Sequence, residues 1–597
     1  MCGIAVTFAR SADAPGVDRA ALERCRDRMA PRGPDGSGTW VSPDGRVGLA
    51  HRRLSILDLS EGGAQPMASA DGNLHIVFNG EIYNFRELQK QLEQQGTVFR
   101  SRSDTEVLLH LYAREGEAML GRLRGMFALA IWDAKKRELF LARDPHGIKP
   151  LYTADDGRTF RAASQVKALL AGGGIDTRPE PAGHAGYFLW GYVPEPYTLY
   201  RGIRSLPAGS WMRIRENGME TGRFWDWGHI LRQAEPDSPA DLRALVADSV
   251  RAHLVSDVPV GVFLSAGIDS NVLAAHAAQA GGKLRSLTLS FAEYAGTERD
   301  EGPLAAESAR RLGLEHTDVR IERREFEGQM ERLLDQMDQP TNDGTNVYFV
   351  SWAAHRAGMK VALSGLGGDE LFGGYDSFRQ VPRSAALLGW SRFLPGAGAA
   401  FRMLTSPWLG AVTSPKYAGL LDFGGTLGGA YFLRRGMFMP WELRGLMDPD
   451  LARQGMAELG IPESLDRGVA GISGGNAAVS WLESVHYMRN QLLRDADWAG
   501  MAHSLEIRVP LVDRVLSERL APAIRSDRPP TKKDFAACAP KTLLPELVNR
   551  PKSGFQIPVR DWLAESAGIR ERGLRGWVKF VYGQFTGKNG SLLEDSR

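Results

Sequence analysis

The sequence predicts two successive units: an α+β layered domain, then an α/β doubly wound parallel sheet with a helical C-terminal part. Three observations carry this. Strand-like runs crowd residues 47–144. Strand–helix alternation takes over after the polar stretch QAEPDSPAD (233–241). Two glycine-bearing loops, SAGIDS (265–270) and SGLGGDELFGGY (364–375), each follow an apolar strand.

In the first unit, VGLAHRRLSI (47–56), LHIVFNGEIYN (74–84), FALAIWD (127–133) and ELFLARD (138–144) are apolar runs bounded by Gly, Asp or Pro, the signature of strands. FRELQKQLEQQG (85–96) and TEVLLHLYAREG (105–116) carry apolar residues at helical spacing and end in glycine, which predicts helices. In the second unit, strands at 260–265, 284–291, 317–321 and 360–365 are separated by the helical segments SNVLAAHAAQAG, GPLAAESARRLG and VYFVSWAAHRAG. That order predicts a doubly wound parallel sheet. Residues 380–565 read as helical and loop-rich, with the Trp and Met residues between 380 and 500 assigned to the core. No pattern is legible after 570.

Composition narrows the function. Of 597 residues, 43% are apolar and 24% charged, as in soluble globular proteins. The net charge of +2 gives no electrostatic footprint for nucleic acid or an anionic membrane. No apolar run approaches the roughly 20 residues that span a bilayer. The start MCGIAVTFAR lacks the basic segment and longer apolar run of a secretory signal, which predicts a cytoplasmic protein. Cys2, Cys25 and Cys538 are widely spaced, so neither a disulfide framework nor a zinc site is indicated.

VPVGVFLSAGIDSN (258–271) runs from an apolar strand through small residues into a helix. Small residues let the backbone close around an anion, and the helix aims free N–H groups at the same point. Ser265 and Ser270 add hydroxyls, and Asp269 can hold a magnesium ion that bridges phosphates. Without Gly-Lys-Ser/Thr it is not a Walker loop. Taken alone it could be an ordinary tight turn. The second loop, VALSGLGGDELFGGY (361–375), packs five glycines into eleven residues, a costly arrangement for a merely structural turn. Both loops fall at carboxyl ends of predicted parallel strands, where such sheets bind ligands, and Asp269 and Asp369 would share the magnesium.

Together the two loops resemble those of the asparagine synthetase family, which adenylates a carboxylate with ATP before a nitrogen nucleophile attacks. MAHSLEIRVPLVD (501–513) and RPKSGF (550–555) are similar to its later signatures. The resemblance implies that Ser265, Gly267, Asp269 and Ser270 hold the pyrophosphate, and that Leu264, Leu289, Ser364 and Gly365 contact the nucleoside. It matches Glu370 to a glutamate linked to forming the acyl-adenylate. It matches Lys552 to a lysine that stabilises charge on the phosphates and the tetrahedral intermediate. Two positions depart from the family pattern: Ala266 replaces a glycine, and Leu366 stands where Glu or Asp is frequent.

MCGIAV, RGPD (32–35), HRRLSI (51–56), FNGEIYN (78–84), SRSDTE (101–106) and ARDPHGIKPLY (142–152) resemble class II glutamine amidotransferases. This implies an N-terminal nucleophile hydrolase sandwich (αββα) at 2–226, a linker at 227–240, an ATP-pyrophosphatase domain at 241–570 and a tail at 571–597. With Met1 removed, the Cys2 amine, of ordinary pKa about 7.7–8.0, can take the thiol proton. Asn79 and Gly80 match the oxyanion hole. Arg53 matches the partner of the glutamine α-carboxylate, Asp104 that of its α-ammonium, and Glu81 and Ile56 match further glutamine contacts. Singly, each has a plain structural alternative: Asn-Gly is a common hairpin turn, Arg53 a solvated charge, and Asp104 a helix cap. Their joint fit to one substrate overrides these. His146 and His316 read as structural.

The expected activity is glutamine-dependent amidation of an ATP-activated carboxylate, releasing AMP and pyrophosphate, with aspartate the default acceptor and ammonia carried by an internal passage. Amidation of another carboxylate, such as a sugar acid or a secondary metabolite, is the alternative. A β-lactam-forming cyclase would not need the glutaminase residues, and a non-catalytic nucleotide or nitrogen sensor would have lost Cys2, Asp269, Asp369 or Lys552. Expected partners are glutamine, ATP with Mg2+ and the acceptor, with no nucleic acid or membrane, and with a homodimer left open.

Overall fold

The computed structural model describes residues 2–237, 241–281, 284–394, 396–550, Trp562 and 574–587. Its first part is built on two six-stranded antiparallel sheets. Alternate residues of each central strand face opposite sides. Ile4, Val6, Phe8, Val47 and Leu49 of the first sheet meet Val77, Ala128, Ala130, Leu139 and Leu141 of the second. The intervening residues of the second sheet, Ile76, Phe78, Phe127 and Leu129, face outward onto Leu88, Leu92, Val107 and Leu111 of helices Phe85–Gln94 and Asp104–Glu115. The other face of the first sheet, through Ala5, Ala50 and Ala163, packs on Leu22, Cys25 and Leu169 of helices Arg19–Arg28 and Val166–Gly172. The layers are therefore helix, sheet, sheet, helix, as the resemblance implies. Burial of both sheet faces is why these strands read as continuous apolar runs.

Asn79 and Gly80 do not form a hairpin turn. They lie inside strand Leu74–Ile82, opposite Ala128 and Phe127. A Cβ at Gly80 would sit 2.1 Å from the Met126 carbonyl oxygen, so glycine is required by close strand approach. Asp104 is not the helix cap either. Ser103 caps, accepting from the Thr105 N–H.

The second part is a five-stranded, all-parallel sheet in the order Glu315–Ile321, Arg285–Phe291, Val260–Phe263, Val361–Leu363, Glu506–Arg508. The chain builds outward from Val260–Phe263 and then returns to its other side. The switch point lies between Val260–Phe263 and Val361–Leu363, where doubly wound sheets bind ligands beyond the strand ends. The three-residue strand Glu506–Arg508, too short for a periodic signal, was not expected. Trp227–Gln233, within the expected linker, is a helix with Trp227 buried. Helix Arg575–Thr586 occupies the tail in which no pattern was legible. It buries Val578 and Val581, and Val578 O accepts from Tyr187 Oη at 3.0 Å.

Direct bonds join the two parts. Arg32, 1% exposed, pairs with Asp497 at 2.7 and 3.1 Å. Arg124 grips Asp513 at 2.9 and 3.0 Å. Removing one partner of such a buried pair costs about 3–5 kcal/mol.

Candidate functional site

Two groups of expected residues assemble, one in each part. In the first, strand Gly3–Ala9 begins beside Leu74–Ile82, on which Asn79 sits. Asn79 Oδ1 accepts the Cys2 N–H at 2.9 Å, and Arg32 Nε donates to Cys2 O at 3.0 Å. With Oδ1 so engaged, the amide orientation is fixed. Asn79 Nδ2 is left buried with no partner among the described residues. A buried, unspent donor is costly, and it belongs to the residue that accepts the Cys2 N–H. Burial pushes the Cys2 thiol above its ordinary pKa, against a backbone hydrogen bond at Leu54, so the thiol needs a base to react at neutral pH. All three cysteines are free and buried.

Arg53 ends strand Val47–Arg53 and holds the following loop, donating through Nη1 to Ser60 O at 2.8 Å and through Nη2 to Asp58 O. It is not a free solvated charge. Asp104 is buried, its Oδ2 accepting the Ile82 N–H at 3.0 Å; burial raises its pKa to about 6. Ile56 is buried, and its carbonyl accepts from the Asp257 N–H at 3.0 Å. Glu81 points to the other part: its Oε2 lies 3.6 Å from Arg508 Nη2. Burial, and then neighbouring Glu506, raises the Glu81 pKa well above the carboxylate range, with Arg508 opposing.

In the second group, Leu264, Leu289 and Ser364 lie at or near the carboxyl ends of adjacent parallel strands. The first loop closes on itself: Ser265 Oγ and Ser270 Oγ are 3.0 Å apart, and Ser265 Oγ accepts the Gly267 N–H at 3.2 Å. Helix Ile268–Ala280 starts at Gly267 with no side-chain cap, leaving its first N–H groups for an anion. Ala266 has negative φ and packs its methyl against Leu544 and Leu547, so alanine suits this position. The second loop presses onto the first. A Cβ at Gly365 or Gly368 would come within 2.8 Å of Asp269, while Gly367 takes φ +94. Leu366 is half-buried against the core.

Asp269 and Asp369 do converge, and the group between them is Lys532, which sequence reasoning missed. Its Nζ lies 2.6 Å from Asp269 Oδ2 and 2.8 Å from Asp369 Oδ1. Burial opposes its charge, but the two carboxylates outweigh this and raise its pKa. Two carboxylates closing on one cation from separate loops fit a hard divalent ion. Glu370 is buried beside them, its pKa pushed up to about 8 by burial, then by Asp369 and Glu483; Tyr375 Oη donates to its Oε1 at 3.0 Å. Tyr375 in turn stacks under Arg435, which pairs with Glu483 at 2.8 Å. Lys552 lies outside the described residues.

Arg508 was also not among the expected site residues. Its side chain faces Glu81, and its carbonyl accepts the Ser364 N–H at 2.8 Å, so one residue touches both groups. The quoted motif LEIRVP was the available signal. His146 is structural: it is buried, with its ring 4.6 Å from Trp225, and burial lowers its pKa to about 3. His316 Nδ1 meets Ser286 Oγ at 3.0 Å.

Comparison with known proteins agrees with both halves. A glutamine amidotransferase domain family matches residues 1–225, and an asparagine synthase family matches 241–575. A Mycobacterium tuberculosis protein bearing a glutamine-hydrolysing asparagine synthetase name is 34% identical over 94% of this chain and 88% of its own. Glutamine-hydrolysing asparagine synthetase 1 of Bacillus subtilis is 32% identical over the same shares, 94% and 88%. Amidase chry2 of Gibberella zeae is 31% identical over 64% of this chain and 60% of its own.

Proposed function

Since the chain belongs to the asparagine synthase family, with a glutamine amidotransferase domain ahead of the synthase domain, we propose that it moves ammonia from glutamine at Cys2 to a carboxylate adenylated at the second site. Aspartate is the first acceptor to test. The observation that carries this reading is the convergence of Asp269 and Asp369 at the switch point of the parallel sheet.

At the first site, the Cys2 amine freed by loss of Met1 takes the thiol proton, and the thiolate attacks the glutamine side-chain amide. Asn79 Nδ2 and the Gly80 N–H stabilise the oxyanion. Ammonia leaves, and water releases glutamate from the thioester. Asp104 receives the α-ammonium of glutamine, a role that needs its ionised form. Below pH 6 that form falls about tenfold per unit. The KM for glutamine is therefore expected to climb as pH falls through 6, with a smaller change in kcat, and Asp104→Asn should show a high KM without that pH dependence.

At the second site, the open N–H groups before helix Ile268–Ala280, with Ser265 and Ser270, hold the phosphates. Asp269 and Asp369 would hold Mg2+, which supplies charge neutralisation on them. Glu370, poised near pH 8, can take the proton that the attacking nitrogen must lose. Arg508 couples the sites. Arg508→Met is expected to raise the glutamate formed per pyrophosphate several-fold, measured by assaying both products together.

A second reading keeps the chemistry and changes the acceptor: a relative named an amidase supports testing other carboxylates. Pyrophosphate release would be followed with aspartate and with a panel of sugar acids and other carboxylates, using glutamine or ammonium as donor. Acceptor-dependent release is expected. Its absence with every carboxylate would overturn the ligase reading, and the best acceptor decides between the two.

A further inference from the structure

The Trp and Met residues assigned to the core between 380 and 500 do not all lie there. Leu387, Trp390, Phe393, Leu394, Met403 and Leu404 are 52–76% exposed, and they make up six of the nine large apolar side chains exposed among the described residues. They sit on successive elements of one chain segment: helix Ser377–Leu388, the turn Ser391–Phe393 with Leu394 after it, and helix Ala397–Val412.

One side of helix Ser377–Leu388 and of the turn after it is already fixed to the protein. Val381 is buried, Ser384 Oγ donates to Gly424 O at 3.1 Å, and Ser391 Oγ donates to Leu421 O at 3.1 Å. The apolar outer side is thus not needed for its attachment. Exposed apolar clusters of this kind mark interaction surfaces.

Charge identifies the partner. Residues 377–421 hold Arg379, Arg383, Arg392, Arg402 and Lys416, with Asp376 and Asp422 the acidic residues at the two ends. The near-neutral whole chain conceals this local excess. Arg402 is paired with Asp422, and Lys416 donates to Arg434 O at 2.7 Å. Arg383 and Arg392 remain exposed, as does Arg379, 3.8 Å from Asp376. Arg379, Arg383 and Leu387 recur at helical spacing, so cations and apolar groups share a face.

We propose that this segment docks on the anionic surface of a lipid bilayer. Trp390, Phe393 and Leu394 enter the headgroup region, and Arg383 and Arg392 meet the lipid phosphates, the combination that holds amphipathic segments at membrane interfaces. The contact is peripheral, since among the described residues no helix is long and apolar enough to cross a membrane. It would hold the second site near the bilayer, because the segment begins at Ser377, two residues after Tyr375, which contacts Glu370. The proposal is independent of which acceptor is amidated.

The test is flotation of the full-length enzyme with vesicles of phosphatidylcholine alone or mixed with phosphatidylglycerol, at low and high salt. Binding to the anionic vesicles only, reversed by salt, is expected. Arg383→Glu with Arg392→Glu should lower the bound fraction about tenfold or more, and Phe393→Ser with Leu394→Ser should also lower it strongly. Both double variants should keep ammonium-dependent pyrophosphate release, which shows that they fold. A wild-type enzyme that stays with the vesicle-free protein, or variants that bind as well as wild type, would overturn the proposal. A wild-type dimer in light scattering that the same substitutions dissociate would assign the surface to a second copy instead.

Discussion

An enzyme that retains Met1, or carries Cys2→Ala, is expected to lose glutamine-dependent amidation by roughly 10,000-fold or more, the scale on which removal of a nucleophile acts. Pyrophosphate release driven by ammonium should stay within about twofold of wild type, because the loops at 264–270 and 364–375 belong to the other sheet system. The two lesions act on different halves of one device. Cys2→Ala removes the attacking atom. Retained Met1 leaves the thiol but ties up the amine that must accept its proton. Burial already raises the Cys2 thiol pKa, so little thiolate forms without that amine. Glutamate and pyrophosphate release, each measured with glutamine and with ammonium, check the result. Glutamine-dependent turnover by a Met1-retaining enzyme, verified by intact mass, would show that another group is the base.

Lys532→Met is expected to reduce pyrophosphate release from either nitrogen source by roughly 100- to 1,000-fold, the usual effect of deleting a cation from a site where charge develops. Basal glutamine hydrolysis at Cys2 should persist. Lys532 now satisfies Asp269 and Asp369 within 2.8 Å and competes for them with any divalent cation. Removing it should therefore lower the Mg2+ concentration needed for half-maximal binding, read by calorimetry without turnover, even as the rate falls. A purely structural Lys532 would lower both affinity and stability. Lys532→Arg keeps the charge and separates the electrostatic role from packing.

The candidate site residues could be proposed from sequence because they are held in short segments. FNGEIYN, SAGIDS and the glycine-rich loop each carry several candidate site residues within one turn or strand, and local sequence records local geometry. The apolar runs of the two central sheets were legible for a similar reason: burial on both faces leaves no polar positions to break the run. Short or polar elements left no such mark. Strand Glu506–Arg508 has three residues, helix Arg19–Arg28 is dominated by charge, and helix Arg575–Thr586 is held by contacts to Tyr187 nearly 400 positions earlier. The exposed Trp390 and Met403 were misread as core because hydrophobicity alone does not say which side of a helix meets the protein.

By itself the sequence carried the family resemblance: a cysteine at position 2, the Asn79–Gly80 pair, and two small-residue loops ending parallel strands. Only the tertiary structure decided which partners complete those groups. Lys532 reaches Asp269 across 263 positions, Arg32 reaches Asp497 across 465, and Arg508 joins Glu81 to the loop at Ser364. Local pattern encodes which face of an element is apolar or which turn a glycine permits. It does not encode which distant side chain fills the space opposite. That is settled when the layers pack and each buried charge must find a counter-charge.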